Sequence, residues 1–194
     1  MTNSPLLPVF LLAAAGCSKA PAEPEPTAQT ASAAPAVTPL TWDVPGTWTA
    51  LPASRSGPKK AVYKVEKAGN DKEDAELDVL FFGTGAEGDP DKIFKEMFGT
   101  FDGDVGASAK RERFEVRGMK VEIVDTSGTY KQALSPPVGP KKQSPVQMVK
   151  QNWRLHAAVV KTPDRGNWFF KLTGPDETVQ AASPAFRTLV ESAK

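Results

Sequence analysis

The stretch NWRLHAAVVKTPDRGNWFFKLT (residues 152–173) determines the fold, because it contains two apolar arms on either side of a turn. The arms NWRLHAAVVKT and NWFFKLT are rich in valine and aromatic residues, which favour β-strands. Between the arms lies the segment PDRG. Its proline, Pro163, stands near the start of the turn and its glycine, Gly166, stands at the end, as a type I turn favours. The stretch therefore predicts a long antiparallel hairpin.

The register of this hairpin follows from pairing Thr162 with Asn167, the residues that flank the turn. In that register Val159 lies opposite Phe170, and His156 lies on the other face. The apolar residues that share one face are then Trp153, Leu155, Ala157, Val159, Trp168, Phe170 and Leu172. Two-residue alternation of this kind is typical of strands in a sheet.

Further strands are predicted on the N-terminal side of the hairpin by the same alternation. They are AVYKVEKA (61–68), AELDVLFFG (75–83) and RERFEVRGMKVEIVDTSGTYKQ (111–132). In the last of these segments Gly118 permits a tight turn, so we expect a second hairpin there.

Two helices are predicted from apolar residues at helical spacing. The first begins with Asp89 as N-cap and Pro90 at the first helical position, and it ends at DGDVG (102–106). The second covers about residues 177–193, and Pro184 inside it is expected to kink or restart it, with Ser183 as a local cap. Strands, helix, strands and helix in this order predict an α+β fold, with helices packed on an antiparallel sheet.

The first 16 residues are typical of an export signal. The apolar run 6–15 is about ten residues long, too short for a membrane span of roughly 20 residues but suited to a signal's apolar core. It ends in Ala14-Ala15-Gly16-Cys17, which resembles the lipobox of bacterial lipoproteins. The resemblance implies a lipid attachment site at Cys17. The alternative is an ordinary secretory signal, with Cys17 left as a thiol.

Residues 17–40 are predicted to be a tether that follows the lipidated cysteine. They are dominated by Pro, Ala, Thr and Glu and bury too little apolar surface to offset their chain entropy. A single domain is expected over residues 41–194. By resemblance to enterobacterial lipoproteins, Ser18 implies the outer membrane, facing the periplasm.

The composition of the chain excludes several classes of site. A net charge of +1 argues against nucleic acid as a partner. The domain has no cysteine, so neither a disulfide framework nor a thiolate metal site is expected. We therefore expect no metal and no cofactor.

No catalytic residue is predicted from the motifs. His156 is the only histidine and there is no G-x-S-x-G, so neither a histidine metal site nor a serine hydrolase is indicated. The acidic segments NDKED (70–74) and DGD (102–104) are expected to be solvated turns. In the second segment, Arg113 stands where an EF-hand loop needs glutamate. We expect that the protein is not an enzyme.

The segment ALSPPVGPKKQSPVQMVK (133–150) is a candidate site for binding a partner. It reads as a loop of about 18 residues, whereas connections usually have about 4–6 and those beyond 12–15 are generally functional or disordered. Lys141 and Lys142 suit an acidic surface, and Val146 and Met148 suit apolar contact. The alternatives are an unstructured excursion, or a short strand or helix at 146–150 that packs on the domain.

Four segments resemble a family of uncharacterised bacterial envelope lipoproteins, and more distantly the PsbP-like α/β/α sandwich. They are WDVPGTWTALP (42–52), KKAVYKVEK (59–67), AELDVLFFG (75–83) and WFFKLTGPDETVQAASPAFRTLVES (168–192). The resemblance implies an antiparallel sheet followed by a C-terminal helix. By analogy it implies an adaptor.

These observations lead us to expect a membrane-anchored, non-enzymatic module that binds an envelope protein. The alternatives are a small-molecule carrier with a cavity between sheet and helix, or a carboxylate-based hydrolase.

Overall fold

The computed structural model describes residues 39–53, 56–135 and 146–194. Seven strands in this part of the chain form one antiparallel sheet in the order β1-β2-β3-β7-β6-β5-β4. The strands are β1 (Thr49–Leu51), β2 (Lys59–Val65), β3 (Ala75–Phe81), β4 (Lys110–Val116), β5 (Met119–Ala133), β6 (Gln147–Lys161) and β7 (Asn167–Pro175). The helices are α1 (Pro90–Phe98), α2 (Val105–Ser108) and α3 (Asp176–Glu191).

Helices lie on both faces of the sheet. On the α3 face, Phe170 and Leu172 of β7 pack with Phe186 and Leu189 of α3, and all four are fully buried. On the α1 face, residues of α1 and α2 pack over the central strands, where Phe169 is fully buried. The predicted α+β fold, an antiparallel sheet with packed helices, is therefore confirmed.

The hairpin at residues 152–173 forms as β6 and β7, but the predicted register is wrong by one residue. Lys161 rather than Thr162 pairs with Asn167, so Ala158 lies opposite Phe170. Thr162 belongs to the loop because its Oγ1 donates to the Gly166 carbonyl oxygen at 2.6 Å.

A shift of one residue exchanges the faces of one strand relative to the other. Leu155 and Trp153 consequently lie on the α1 face, whereas Trp168 lies on the α3 face. His156 pairs with Leu172 on the α3 face.

The second predicted hairpin, within residues 111–132, is confirmed as β4 and β5. Arg117 and Gly118 form its turn with φ angles of 48° and 77°, and Val116 pairs with Met119. Two successive residues with positive φ are typical of a type I′ turn, which matches the twist of the strands it joins.

Both predicted helices form, and one detail of each differs. In α1, Asp89 is the N-cap and its Oδ1 accepts from Lys92 N at 2.9 Å, as expected, but α1 ends at Phe98. The second helix, α3, continues through Pro184 without a restart. Ser183 is not a cap, because its Oγ donates to the Val179 carbonyl oxygen one turn earlier in α3. No helix in the described ranges is long and apolar enough to cross a membrane.

The predicted loop at 133–150 is shorter than expected. β5 continues to Ala133, β6 begins at Gln147, and Leu134 N donates to the Val146 carbonyl oxygen at 2.9 Å. The alternative of a strand or helix that packs on the domain is correct only in part: residues 147–150 are strand and extend β6, but Val146, Met148 and Val149 stay exposed. Residues 1–38 and 136–145, and with them the signal, Cys17, most of the tether, Lys141 and Lys142, lie outside the described residues.

Candidate functional site

The longest strands, β5 and β6, extend beyond the rest of the sheet. The last pair between β6 and β7 joins Trp153 to Pro175, whereas β5 and β6 remain paired as far as Ala133 and Gln147. We call residues 129–134 and 146–151 the ribbon. Six residues of β6 before Trp153 correspond to about 20 Å of strand.

The ribbon carries four of the six exposed large apolar residues in the described ranges. Leu134, Val146, Met148 and Val149 expose 53%, 52%, 40% and 53% of their surface, and the other two large apolar residues that are exposed are Val44 and Leu51. Met148 pairs with Gln132, and the same register places Val146 opposite Leu134. Three of the four apolar residues therefore share one face of the ribbon, and Val149 lies on the other.

The foot of the ribbon is fixed to the domain by aromatic and polar contacts. Tyr130 stacks on Trp153 with ring centroids 6.0 Å apart, and it packs edge-on against Phe101 at 5.3 Å. Lys131 forms an ion pair with Asp102. These contacts hold the ribbon at its foot, while the apolar residues at its far end stay exposed.

A polar pocket lies at the foot of the ribbon on the α1 face. Its volume is about 220 Å³, and its lining comprises Glu73, Asp74, Glu76, Asp78, Tyr130, Gln132, Trp153, Lys171 and Thr173. The base of the pocket is formed by two residue pairs between β3 and β7. Asp78 lies opposite Lys171, and Glu76 lies opposite Thr173. Residues in such cross-strand pairs have Cβ atoms about 5 Å apart, so the four side chains form one compact patch.

Lysines balance the carboxylates of this pocket. Lys59 Nζ lies 2.7 Å from Asp78 Oδ1 and 3.5 Å from Glu76 Oε1. At the rim, Lys150 Nζ donates to both carboxylate oxygens of Glu73 at 2.6 Å. This ion pair joins β6 to the β2–β3 turn, across the end of β7.

Several donors at the pocket lack acceptors. Trp153 Nε1 and Thr173 Oγ1 are buried and have no hydrogen-bond partner among the described residues. The Lys171 ammonium group makes no ion pair or hydrogen bond with any described residue. Burial lowers the pKa of Lys171, despite the charge of the nearby Asp78.

The pKa of Glu76 is displaced in the opposite direction. Burial and the negative charge of Asp78 raise the pKa of Glu76, and Lys59 only partly offsets this effect. Groups whose pKa is shifted by burial and by a specific neighbour are common at functional sites. The pocket therefore contains both an incompletely neutralised carboxylate and an ammonium group without a partner.

His156 has a structural environment. Its Nδ1 lies 2.8 Å from Ser183 Oγ, whose hydroxyl already donates to Val179, so Nδ1 is the donor. Asp125 does not complete a triad, because both of its oxygens accept from Arg154 Nη1 at 2.8 Å. Burial lowers the pKa of His156, and the ring packs on Phe186. The residue links β6 to α3.

The acidic segments form turns and caps. Asp71 Oδ2 accepts from the backbone N and the hydroxyl of Thr178 at 2.7 Å, which ties the β2–β3 turn to α3. Asp104 caps α2 by accepting from Ala107 N. No group of three or more metal-ligating side chains occurs within the described ranges.

An apolar cleft lies on the α3 face near the start of the described chain. Trp42, Phe81 and Trp168 contribute to its lining, and its volume is about 400 Å³. Trp42 packs 6.0 Å from Trp168 between ring centroids and donates from Nε1 to the Tyr63 hydroxyl. Trp48 is buried, so both early tryptophans pack against the core.

The site combines residues that sequence reasoning named with others that it missed. Val146 and Met148 were predicted, and they lie on one face of the ribbon. The pocket residues Lys171 and Thr173 were not predicted, because the alternation of apolar and polar residues in β7 does not reveal that β3 lies beside it. The sequence signal that could have revealed the pocket is Lys171, a charged residue within the apolar strand segment WFFKL.

Comparison with known proteins gives a similarity of fold to solved structures. No protein-family model and no curated protein matches the chain. The solution structure of cyanobacterial PsbP (CyanoP) from Synechocystis is similar with a TM-score of 0.45 and 12% identity, over 80% of this chain and 91% of that one. This agrees with the distant PsbP-like resemblance and carries no conclusion about function.

Proposed function

We propose that the protein is a lipid-anchored periplasmic module, attached through Cys17 to the outer membrane, that binds an envelope protein through its ribbon and is not an enzyme. The observation that carries the proposal is the exposed apolar face formed by Leu134, Val146 and Met148. Exposed apolar residues are ordinary when scattered, whereas a contiguous patch marks an interaction site.

The proposed partner is a protein with an apolar surface bordered by carboxylates. The sequence from 134 to 146, between the two strands of the ribbon, contains Lys141 and Lys142 and no acidic residue. On the described part of the ribbon, Lys131 and Lys150 already have carboxylate partners in the chain. Lys141 and Lys142 therefore provide the charge complementarity that selects an acidic partner.

The carboxylate-based hydrolase remains a second proposal because Glu76 and Asp78 converge in the polar pocket. Its weakness is that Lys59 lies within ion-pair distance of both carboxylates. A pair held by a shared lysine suits binding better than proton transfer, which requires a carboxylate free to accept a proton. The carrier remains a prediction, and it would need a cavity between sheet and helix.

The test is photo-crosslinking in cells with a photoreactive amino acid at position 148. Position 51 is a matched control, because Leu51 is exposed to 37% and Met148 to 40%, and Leu51 lies on β1 at the far end of the sheet from β5 and β6. We expect a discrete protein adduct from position 148 only. Replacing Lys141 and Lys142 by glutamate should reduce its yield.

Two results would contradict the proposal. Identical adducts from both positions would mean that the contact is not specific to the ribbon. Adducts with lipid alone from position 148 would mean that the ribbon contacts the membrane. The Cys17 anchor is tested separately by replacing Cys17 with serine, which should release the protein from the membrane fraction.

A further inference from the structure

The polar pocket contains donors that nothing in the described chain satisfies. Trp153 Nε1 and Thr173 Oγ1 are buried without partners, and Lys171 lies beside them on the pocket floor. A buried donor without an acceptor costs free energy comparable to a lost hydrogen bond, and native structures contain few of them. Two such donors beside the Lys171 ammonium group in one pocket indicate that an acceptor from outside the chain completes them.

The donors suit a carboxylate. Lys171 provides positive charge, and the hydroxyl of Thr173 and the indole N–H of Trp153 provide directed hydrogen bonds. Hydrogen bonds to a charged acceptor are about twice as strong as those between neutral groups. Asp78 does not take this place: its Oδ1 lies 2.7 Å from Lys59 Nζ as an ion pair, and among the described residues it makes no hydrogen bond to any of these donors.

The neighbouring carboxylate suits an ammonium group. Glu76 lies opposite Thr173 in the β3–β7 pair, and its contact with Lys59 Nζ is long, at 3.5 Å. A cation beside Glu76 would relieve its repulsion with Asp78. The acceptor and donor sides of the patch are therefore about 5 Å apart, the spacing of a cross-strand pair.

The charge of the site disfavours a simple anion or a simple cation. The four carboxylates that line the pocket are Glu73, Asp74, Glu76 and Asp78. Four lysines balance them, since Lys171 lines the pocket and Lys59, Lys64 and Lys150 form ion pairs with the lining carboxylates. A local charge of zero favours a ligand whose own charge is zero.

The size of the pocket limits the ligand further. Its volume of about 220 Å³ is below the 300–1,000 Å³ typical of sites for drug-sized molecules.

We propose that the polar pocket binds a small zwitterion of the α-amino acid class. The carboxylate is bound by Lys171, Thr173 and Trp153, and the ammonium group is bound by Glu76. This proposal does not depend on the proposed docking face of the ribbon, because Leu134, Val146 and Met148 do not line the pocket.

The test is a titration of the purified full chain followed by the indole N–H signals of its four tryptophans in nitrogen–proton correlation spectra. The Trp153 signal is assigned from the spectrum of Trp153→Phe. The probes are L-alanine, propionate, which has only the carboxylate, and ethylamine, which has only the ammonium group. We expect L-alanine to shift the Trp153 signal to saturation, and the other two to leave it unchanged at the same concentrations.

Variants of the pocket separate binding from folding. Lys171→Met and Thr173→Val should each weaken L-alanine binding by about tenfold or more, as expected for a lost hydrogen bond to a charged group. The signals of Trp42 and Trp168 should keep their positions, since both residues lie on the α3 face. Lys60→Met is the matched control, because Lys60 lies on β2 outside the pocket.

Three results would overturn the proposal. Saturation by propionate as strong as by L-alanine would make the pocket a plain carboxylate site. No shift with any probe would mean that water completes the donors. An equal loss of binding in Lys60→Met would mean that the effect is not located in the pocket.

Discussion

Replacing Lys171 by methionine should stabilise the fold, because the lysine is mostly buried and has no partner in the described chain. Its pKa in the folded state lies below the ordinary 10.5 because burial disfavours the charged form. Methionine has a similar length and no charge to desolvate. Removing an unpartnered polar group should raise the free energy of unfolding by about 1–2 kcal/mol, and each kcal/mol corresponds to about 2–4 °C in Tm for a chain of this size.

The assay is urea denaturation followed by tryptophan fluorescence at several pH values. A folded-state pKa below 10.5 means that the wild type gains stability as the pH rises through that interval. The advantage of Lys171→Met should therefore be largest near pH 7 and shrink toward pH 10.5. Lys161→Met is the control and should lose stability, because Lys161 Nζ lies 3.8 Å from the carboxylate of buried Glu122. A loss of 1 kcal/mol or more in Lys171→Met would refute the reasoning.

Further predictions concern residues that hold the fold. Glu122→Gln should lower the free energy of unfolding by about 1–3 kcal/mol, because Arg111 and Arg113 each contact Glu122 Oε1 at 3.0 Å. Urea denaturation at pH 7 measures this loss, and an unchanged midpoint would contradict the prediction. Below its ordinary pKa of 6.5, His156 should destabilise the fold as the pH falls, since burial lowers its pKa in the folded state and the unfolded chain binds the proton first. His156→Gln should lose this part of the pH dependence in the same assay, and an identical pH profile would argue against it. Gly166→Ala should lower Tm measurably, because φ is +74° and an added Cβ would lie 2.7 Å from the Gly83 carbonyl oxygen; an unchanged Tm would show that the loop relaxes.

The sequence predicted the elements of the fold well where the signal is local. The N-cap Asp89, the turn at Gly118 and the alternation in β3 each depend on residues close together in the chain, and each is found in the structure. The register between β6 and β7 is not determined by the sequence pattern of either strand. It depends on whether Thr162 joins the ladder or the loop, and the hydrogen bond from its hydroxyl to Gly166 decides for the loop.

The candidate site was predictable only in part, for a related reason. Val146 and Met148 are conspicuous because they are apolar residues near prolines and lysines, although their place on a paired strand was only one of the alternatives. To predict the polar pocket, one would have to know that β3 pairs with β7, although the two strands are separated by about 90 residues of sequence. Neither Glu76 nor Lys171 carries a local signal of the partner across that pair.

The measurement that tests the central claim most directly is the affinity of the full chain for the protein that crosslinks at position 148. The variant carries Val146→Asp and Met148→Asp, and the control carries Leu51→Asp, another exposed apolar residue. Because a few central apolar residues dominate most interfaces, we predict that the double variant binds at least about tenfold more weakly, while the control binds like the wild type. Equal affinity of the wild type and the double variant would show that the ribbon is not the binding surface.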